Sequence, residues 1–126
     1  RLQSDLVTLC QAAMNQTLDQ HTLVWDSRFA VGVVLAMEGY PGVYPQGLPM
    51  TGLDYPLAVD QKIFHAGTLQ QEDNVVTAGG RVLCATGMGE TLAHARERAY
   101  AIVDHVNWKG KYFRQDIGFR QPKETI

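Results

Sequence analysis

Residues 39–56, GYPGVYPQGLPMTGLDYP, carry four prolines and four glycines, and no other stretch limits the fold of this chain so severely. Proline lacks an amide hydrogen and glycine loosens the backbone, so long regular structure is ruled out there and an ordered loop region is expected. Helices and strands must be built from the residues on either side. Before the loop, residues 30–37 (AVGVVLAM) form an apolar run too continuous for a one-sided strand and too short and β-branched for a helix, which predicts a buried strand. Beyond it, strands are predicted at 62–65, 75–77 and 81–86, with Gly79 and Gly80 between the last two as a hairpin turn or bulge.

Near the start, Leu6, Leu9, Cys10 and Ala13 recur at helical spacing behind Ser4 as N-cap, which predicts an amphipathic helix over residues 5–16 and a polar connection over 15–26. From Thr91 onward, Leu92, Ala95, Ala99, Ile102, Val103 and Val106 make one apolar stripe with Arg96, Glu97 and Asp104 off it. That is the clearest helix of the chain, roughly four turns long. A short closing strand or loop over 112–120 precedes the polar tail QPKETI, expected to fray. Strands grouped in mid-chain with helices at the edges indicate an α+β fold, and no internal repeat or low-complexity tract breaks it up.

Length and charge narrow the function classes. A chain of 126 residues, 45% hydrophobic, suits one domain with a real core. The net charge of -2 gives no basic surplus for a phosphate backbone, so nucleic acid is not expected as a partner. No apolar run approaches the roughly 20 residues that cross a bilayer, and no charged n-region leads an apolar h-region, so neither a membrane nor export is expected. Cys10 and Cys84 lack CxxC or Cys/His spacing, and His21, His94 and His105 lack ligand spacing, so free buried thiols and no structural metal are expected. Arg1 in place of methionine, with a helix opening at once, implies a piece cut from a longer chain.

Candidate functional residues cluster around glycines. In Gly79-Gly80-Arg81, two glycines let the backbone approach a ligand and a guanidinium beside them can fork onto a phosphate or carboxylate. A hairpin turn with a solvated arginine explains the same residues. His65-Ala66-Gly67-Thr68 ends a strand with groups that could line a polar pocket, or with an ordinary satisfied histidine. Gly87-Met88-Gly89-Glu90 has the form of a phosphate-binding turn at a helix start, but Glu90 would repel phosphate, and a turn with Glu90 or Thr91 capping the helix is simpler. Tyr40 in the GYPG segment is expected as packed apolar mass, and Lys111, Arg114 and Arg120 as scattered surface cations.

In this order, RLQSDLV, VVLAMEGYPGVYPQG, KIFHAGT, VVTAGGRVLCATGMGETLAHARERAY and YFRQDIGFR span nearly the whole chain, and together they resemble the C-terminal region of glycinamide ribonucleotide synthetases. The departures are small: GMGET, where the family more often has a small apolar residue and Asp, and the longer polar linker LQQEDN. The resemblance implies a small, mostly antiparallel sheet or partial barrel flanked by helices, as in the C-terminal domain of ATP-grasp ligases. Residues 1–24 would be the terminal helix and linker of the preceding ATP-grasp region, and 25–126 the C-terminal domain.

The implied reaction is ATP-dependent joining of glycine to phosphoribosylamine through an acyl phosphate, in the cytoplasm. ATP and magnesium or manganese would be bound by the remaining domains of the same ligase, leaving this chain inactive alone. Among the candidates, the resemblance favours Arg81 as the contact to the substrate's ribose phosphate, with Gly79, Gly80, His65 and Thr68 around it. A stand-alone interaction module and a small nucleotide-binding enzyme using GMGE are the competing readings.

Overall fold

The computed structural model describes residues 1–119; the expectations placed on Arg120 and on the QPKETI tail lie outside the described residues. The first helix, α1 (Leu6–Met14), is capped by Asp5, whose side chain accepts from the Thr8 amide at 2.7 Å. Ser4 is not the cap, because its hydroxyl accepts from the Val24 amide at 2.8 Å instead. The segment read as a polar connection contains a short 3-10 turn (Leu18–Gln20) and then doubles back. Gln3 N donates to Val24 O at 2.9 Å and Asp26 N to Arg1 O at 2.7 Å, so residues 1–26 close into a small unit of their own.

Four strands form the main sheet: β1 (Phe29–Met37), β2 (Gln61–His65), β5 (Arg81–Gly89) and β6 (Lys111–Tyr112), in the order β2-β5-β1-β6 and antiparallel throughout. A second helix, α2 (Leu92–His105), begins where Thr91 Oγ1 accepts from His94 N at 3.2 Å, and lays Ala95, Ala99, Ile102 and Val103 on one face of this sheet. Val31, Val33, Leu35 and Met37 of β1 meet that stripe from below, each side chain contributing about 1.5–3 kcal/mol by burial.

The expectation that β1 is buried on both faces does not hold among the described residues. Ala30, Gly32 and Val34 lie on the face away from α2, where none of the described residues covers them and Val34 is 45% exposed. Phe64 and Tyr112, 54% and 57% exposed, share that face through their pairing with Cys84 and Ala36. The continuous apolar run thus reflects a sheet with one covered and one open side.

The remaining strands, β3 (Thr68–Gln71) and β4 (Asn74–Thr77), pair with each other. Gly79 and Gly80 are therefore not a hairpin turn: β4 and β5 belong to different sheets, and the two glycines carry the chain from one to the other. The actual hairpin is the polar LQQEDN segment, where Glu72 takes a φ of 52°.

The proline- and glycine-rich loop is ordered, as expected. Thr77 N donates to Leu48 O at 2.9 Å and Met50 N to Val75 O at 3.0 Å, so the loop borders β4. Thr51 and Asn107 exchange backbone bonds of 2.9 and 3.0 Å, which tie the loop to the end of α2. The whole is the α+β arrangement of a small antiparallel sheet with helices at its sides. Both thiols are free, but Cys10 is exposed and Cys84 half-buried, against the expectation of buried cysteines.

Candidate functional site

The glycines singled out from the sequence meet where the main sheet hands over to the β3–β4 pair. Gly67 N donates to Arg81 O at 2.9 Å, and Ala78 N to Gly67 O at 2.8 Å, so the segment after β2 and the segment before β5 are laced together through their backbones. A Cβ on Gly67 would lie 2.6 Å from Gly79 Cα and 2.7 Å from Arg81 O, a contact no side-chain-bearing residue could make. On the opposite side, a Cβ on Gly80 would fall 2.6 Å from Cε2 and 2.9 Å from Cγ of the Tyr40 ring. Gly79 and Gly80 are thus hemmed in from two directions.

His65 and Thr68 flank this crossing and are joined by a 3.0 Å contact between Nδ1 and Oγ1, which leaves Nε2 for an external partner. Arg81 is exposed, and among the described residues its guanidinium makes no ion pair or side-chain hydrogen bond. It pairs with Ala36, which sits between the buried Leu35 and Met37 and so points to the open face of the sheet. The extra residue is Val82: register slips between Leu35 and Ala36, and Val82 and Leu83 are both buried. His65 pairs with Leu83 and has the parity of Ile63, on the helix side. The two segments come together, but Arg81 faces the open side of the sheet and His65 the helix side, so the single polar pocket expected beside Arg81 is not formed among the described residues.

Other candidates resolve into structural roles. Gly87, Met88 and Gly89 are strand, not turn, and Thr91 caps the helix. Lys111 donates through Nζ to Val103 O at 2.8 Å and Val106 O at 2.7 Å, closing the end of α2, and burial holds its amine below the usual lysine range. Arg114 is paired with Asp116 at 2.6 Å. His105 bonds Ala101 O at 2.9 Å and stacks on Tyr55, with ring centroids 3.9 Å apart. No group of three or more His, Cys, Asp or Glu side chains is placed to hold a metal ion among the described residues. Nor is any helix among them long and apolar enough to cross a membrane.

Sequence reading missed a charged network that fastens the 1–26 unit to the sheet. Arg28 forks onto Asp26 with bonds of 2.7 to 3.2 Å and reaches Asp60 at 2.5 Å, and Asp60 also meets Arg98 at 3.1 Å. Asp26 and Arg28 stand two residues apart, but Asp60 and Arg98 are distant from them and from each other in sequence, so no spacing announces the network. Hydrogen bonds from the Arg28 side chain, then from its backbone amide, hold the Asp26 carboxyl far below the ordinary carboxylate range. A carboxyl with a depressed folded-state pKa stabilises the fold above its unfolded value and loses that contribution as pH falls through the folded one. Asp26→Ala should therefore lower the melting temperature at neutral pH by roughly 2–4 °C, and the gap should narrow as thermal unfolding is followed below pH ~4. A gap that stays constant down to strong acid would remove the carboxylate from the account.

Three comparisons give the arrangement its place among known proteins. A crystal structure of the phosphoribosylamine–glycine ligase from Thermotoga maritima superposes with a TM-score of 0.67 at 35% identity, over 88% of this chain and 29% of that one. The class so defined is the C-terminal domain of an ATP-grasp ligase. More narrowly, the chain belongs to the family described as phosphoribosylglycinamide synthetase, C domain, whose profile matches residues 30–120. It is 54% identical over 120 residues to the phosphoribosylamine–glycine ligase of Vibrio cholerae and 50% identical over 121 residues to that of Salmonella typhimurium. In both cases it covers 95% of its own length and spans 28% of the relative's.

Proposed function

We propose that this chain is the C-terminal part of a cytoplasmic ligase that joins glycine to phosphoribosylamine at the expense of ATP, and that it supplies one wall of the amine-substrate site. The observation that carries the reading is the 54% identity with a phosphoribosylamine–glycine ligase across 95% of the chain. Residues 1–24 are then the end of the preceding lobe and 25–126 the C-terminal domain. The exposed Leu6, Val7 and Met14 of α1 and the apolar hollow of about 340 Å³ between α1 and Leu18, His21 and Leu23 suit a unit that packs on more protein.

Arg81 is the proposed contact to the ribose phosphate. Its guanidinium has no internal partner among the described residues to give up, and Gly79 and Gly80, packed against Gly67 and Tyr40, hold the backbone that leads into it. His65 and Thr68 form the polar rim on the other side of the crossing. The second wall of the site comes from outside this chain. Phosphoryl transfer from ATP needs metal-binding carboxylates and a cationic phosphate cradle. The described residues do not fit a bound ATP–magnesium or ATP–manganese complex, since they hold no such acidic cluster. Both are assigned to the remaining domains of the ligase, and this chain alone is expected to be inactive.

The test is a chimera in which this chain replaces the matching 120 residues of the Vibrio cholerae ligase. It should form glycinamide ribonucleotide at a rate within an order of magnitude of its parent. A soluble, folded chimera without turnover would overturn the proposal and favour an interaction module instead.

A further inference from the structure

Tyr40 stands near the start of the proline-rich loop, three residues after the end of β1, and its surroundings differ from those of a residue that merely fills a turn. Its amide donates to Met37 O at 3.1 Å, while Met37 N donates to Gly80 O at 2.8 Å, so the end of β1 is bonded both to Tyr40 and to the residue before Arg81. The ring lies directly on Gly80, with no room for even one added carbon. Tyr44 meets that ring edge-on, with centroids 6.0 Å apart and planes at 60°, and itself packs against the buried core. Gly80 therefore has an aromatic plate on one side, backed by a second aromatic ring that reaches the core. Gly79 has the backbone of Gly67 on the other.

An arginine that must present its fork to an anion gains from a fixed Cα–Cβ direction, because ordering a long side chain on a mobile backbone costs binding energy. The bulge at Val82 turns Arg81 toward the open face, but a bulge next to two glycines would be pliable without something holding the glycines. The ring of Tyr40 supplies that hold. We propose that Tyr40 is a positioning residue for anion recognition by Arg81: it clamps Gly80 through its ring and so sets the direction from which the guanidinium meets a sugar phosphate. This rests on the reading of Arg81 as a phosphoribosylamine contact.

The ligase chimera described above separates the two ideas. Tyr40→Ala should raise the KM for phosphoribosylamine about tenfold, the scale of a slightly misdirected contact, while kcat and the KM values for ATP and glycine stay within about twofold. Tyr40→Phe, which keeps the ring, should behave as the unsubstituted chimera. Gly80→Ala, driven against the ring, should raise the same KM. Because the obstructing atoms belong to the Tyr40 ring, the pair Tyr40→Ala with Gly80→Ala should be no worse than Tyr40→Ala alone. If Tyr40→Ala does not fold, Tyr40→Leu serves, since it keeps apolar mass but loses the flat plate. A loss in Tyr40→Phe equal to that in Tyr40→Ala, or additive losses in the pair, would overturn the clamp. If Arg81→Ala raises the KM and Tyr40→Ala does not, the clamp alone falls; if Arg81→Ala leaves it unchanged, the substrate-wall reading falls as well.

Discussion

Gly87→Ala is expected to lower the melting temperature of this chain by roughly 10–15 °C, through a single added methyl group. A Cβ at that position would sit 2.5 Å from both Ala95 O and Ala99 N and 2.7 Å from Arg98 Cβ. Two of those three neighbours are backbone atoms of α2, which cannot swing aside as a side chain can. The helix would have to withdraw, and the loss would spread along Ala95, Ala99, Ile102 and Val103, which are packed to within 1% of complete burial. Overpacking a core typically costs about 1–3 kcal/mol, and an obstacle made of helix backbone puts this substitution at the upper end.

Gly47→Ala is the matched control. None of the described residues lies within 4 Å of a Cβ there, so only the strain of its positive φ, about 1 kcal/mol, is expected. Thermal unfolding of the two variants by circular dichroism should show a drop several times larger for Gly87→Ala. Equal drops would mean that β5 and α2 do not approach as closely as their glycines indicate.

That contact also explains what could and could not be read from the residues alone. The stripe from Leu92 to Val106 was legible because helical spacing of apolar side chains has one economical solution, and α2 buries it as predicted. Gly87, Met88 and Gly89 were ambiguous because glycine before a helix serves equally for a phosphate turn and for close strand–helix packing. Only the position of Ala95 and Ala99 decides between them. The two-sheet division escaped notice for a related reason: Thr68–Gln71 has one apolar residue, so β3 carries almost no periodic signal, and without β3 the obvious partner for β4 was β5. Likewise the local Asp26–Arg28 pair meets Asp60 and Arg98 only after the sheet has formed, and no local pattern announces a contact of that kind.

The candidate site was legible in one respect. Glycines at 67, 79 and 80 marked places where backbone would come close to something, and that something is partly the chain itself, with Gly67 against Gly79 and Tyr40 against Gly80. The facing of the side chains was not legible, since it depends on a one-residue bulge at Val82 that reverses strand parity.

Arg81→Ala in the ligase chimera should raise the KM for phosphoribosylamine about ten- to hundredfold, the equivalent of losing a charge-assisted contact of roughly 1.5–3 kcal/mol. The KM values for ATP and glycine should hardly move, because both are assigned to parts of the ligase outside this chain. Stability should hardly move either: the guanidinium is exposed and makes no ion pair among the described residues, so its removal leaves no buried charge without a partner. This separation between an intact fold and an impaired substrate response is what distinguishes a recognition residue from a structural one. Arg81→Lys keeps the charge but not the planar fork, so an intermediate KM is expected if two oxygens of a phosphate are gripped together. Steady-state kinetics with phosphoribosylamine varied, beside melting curves of the same variants, reads both quantities. An unchanged KM for the amine substrate would return Arg81 to the ordinary status of a solvated strand-end cation, and the open face beside it to a surface whose role lies in contact with the rest of the ligase.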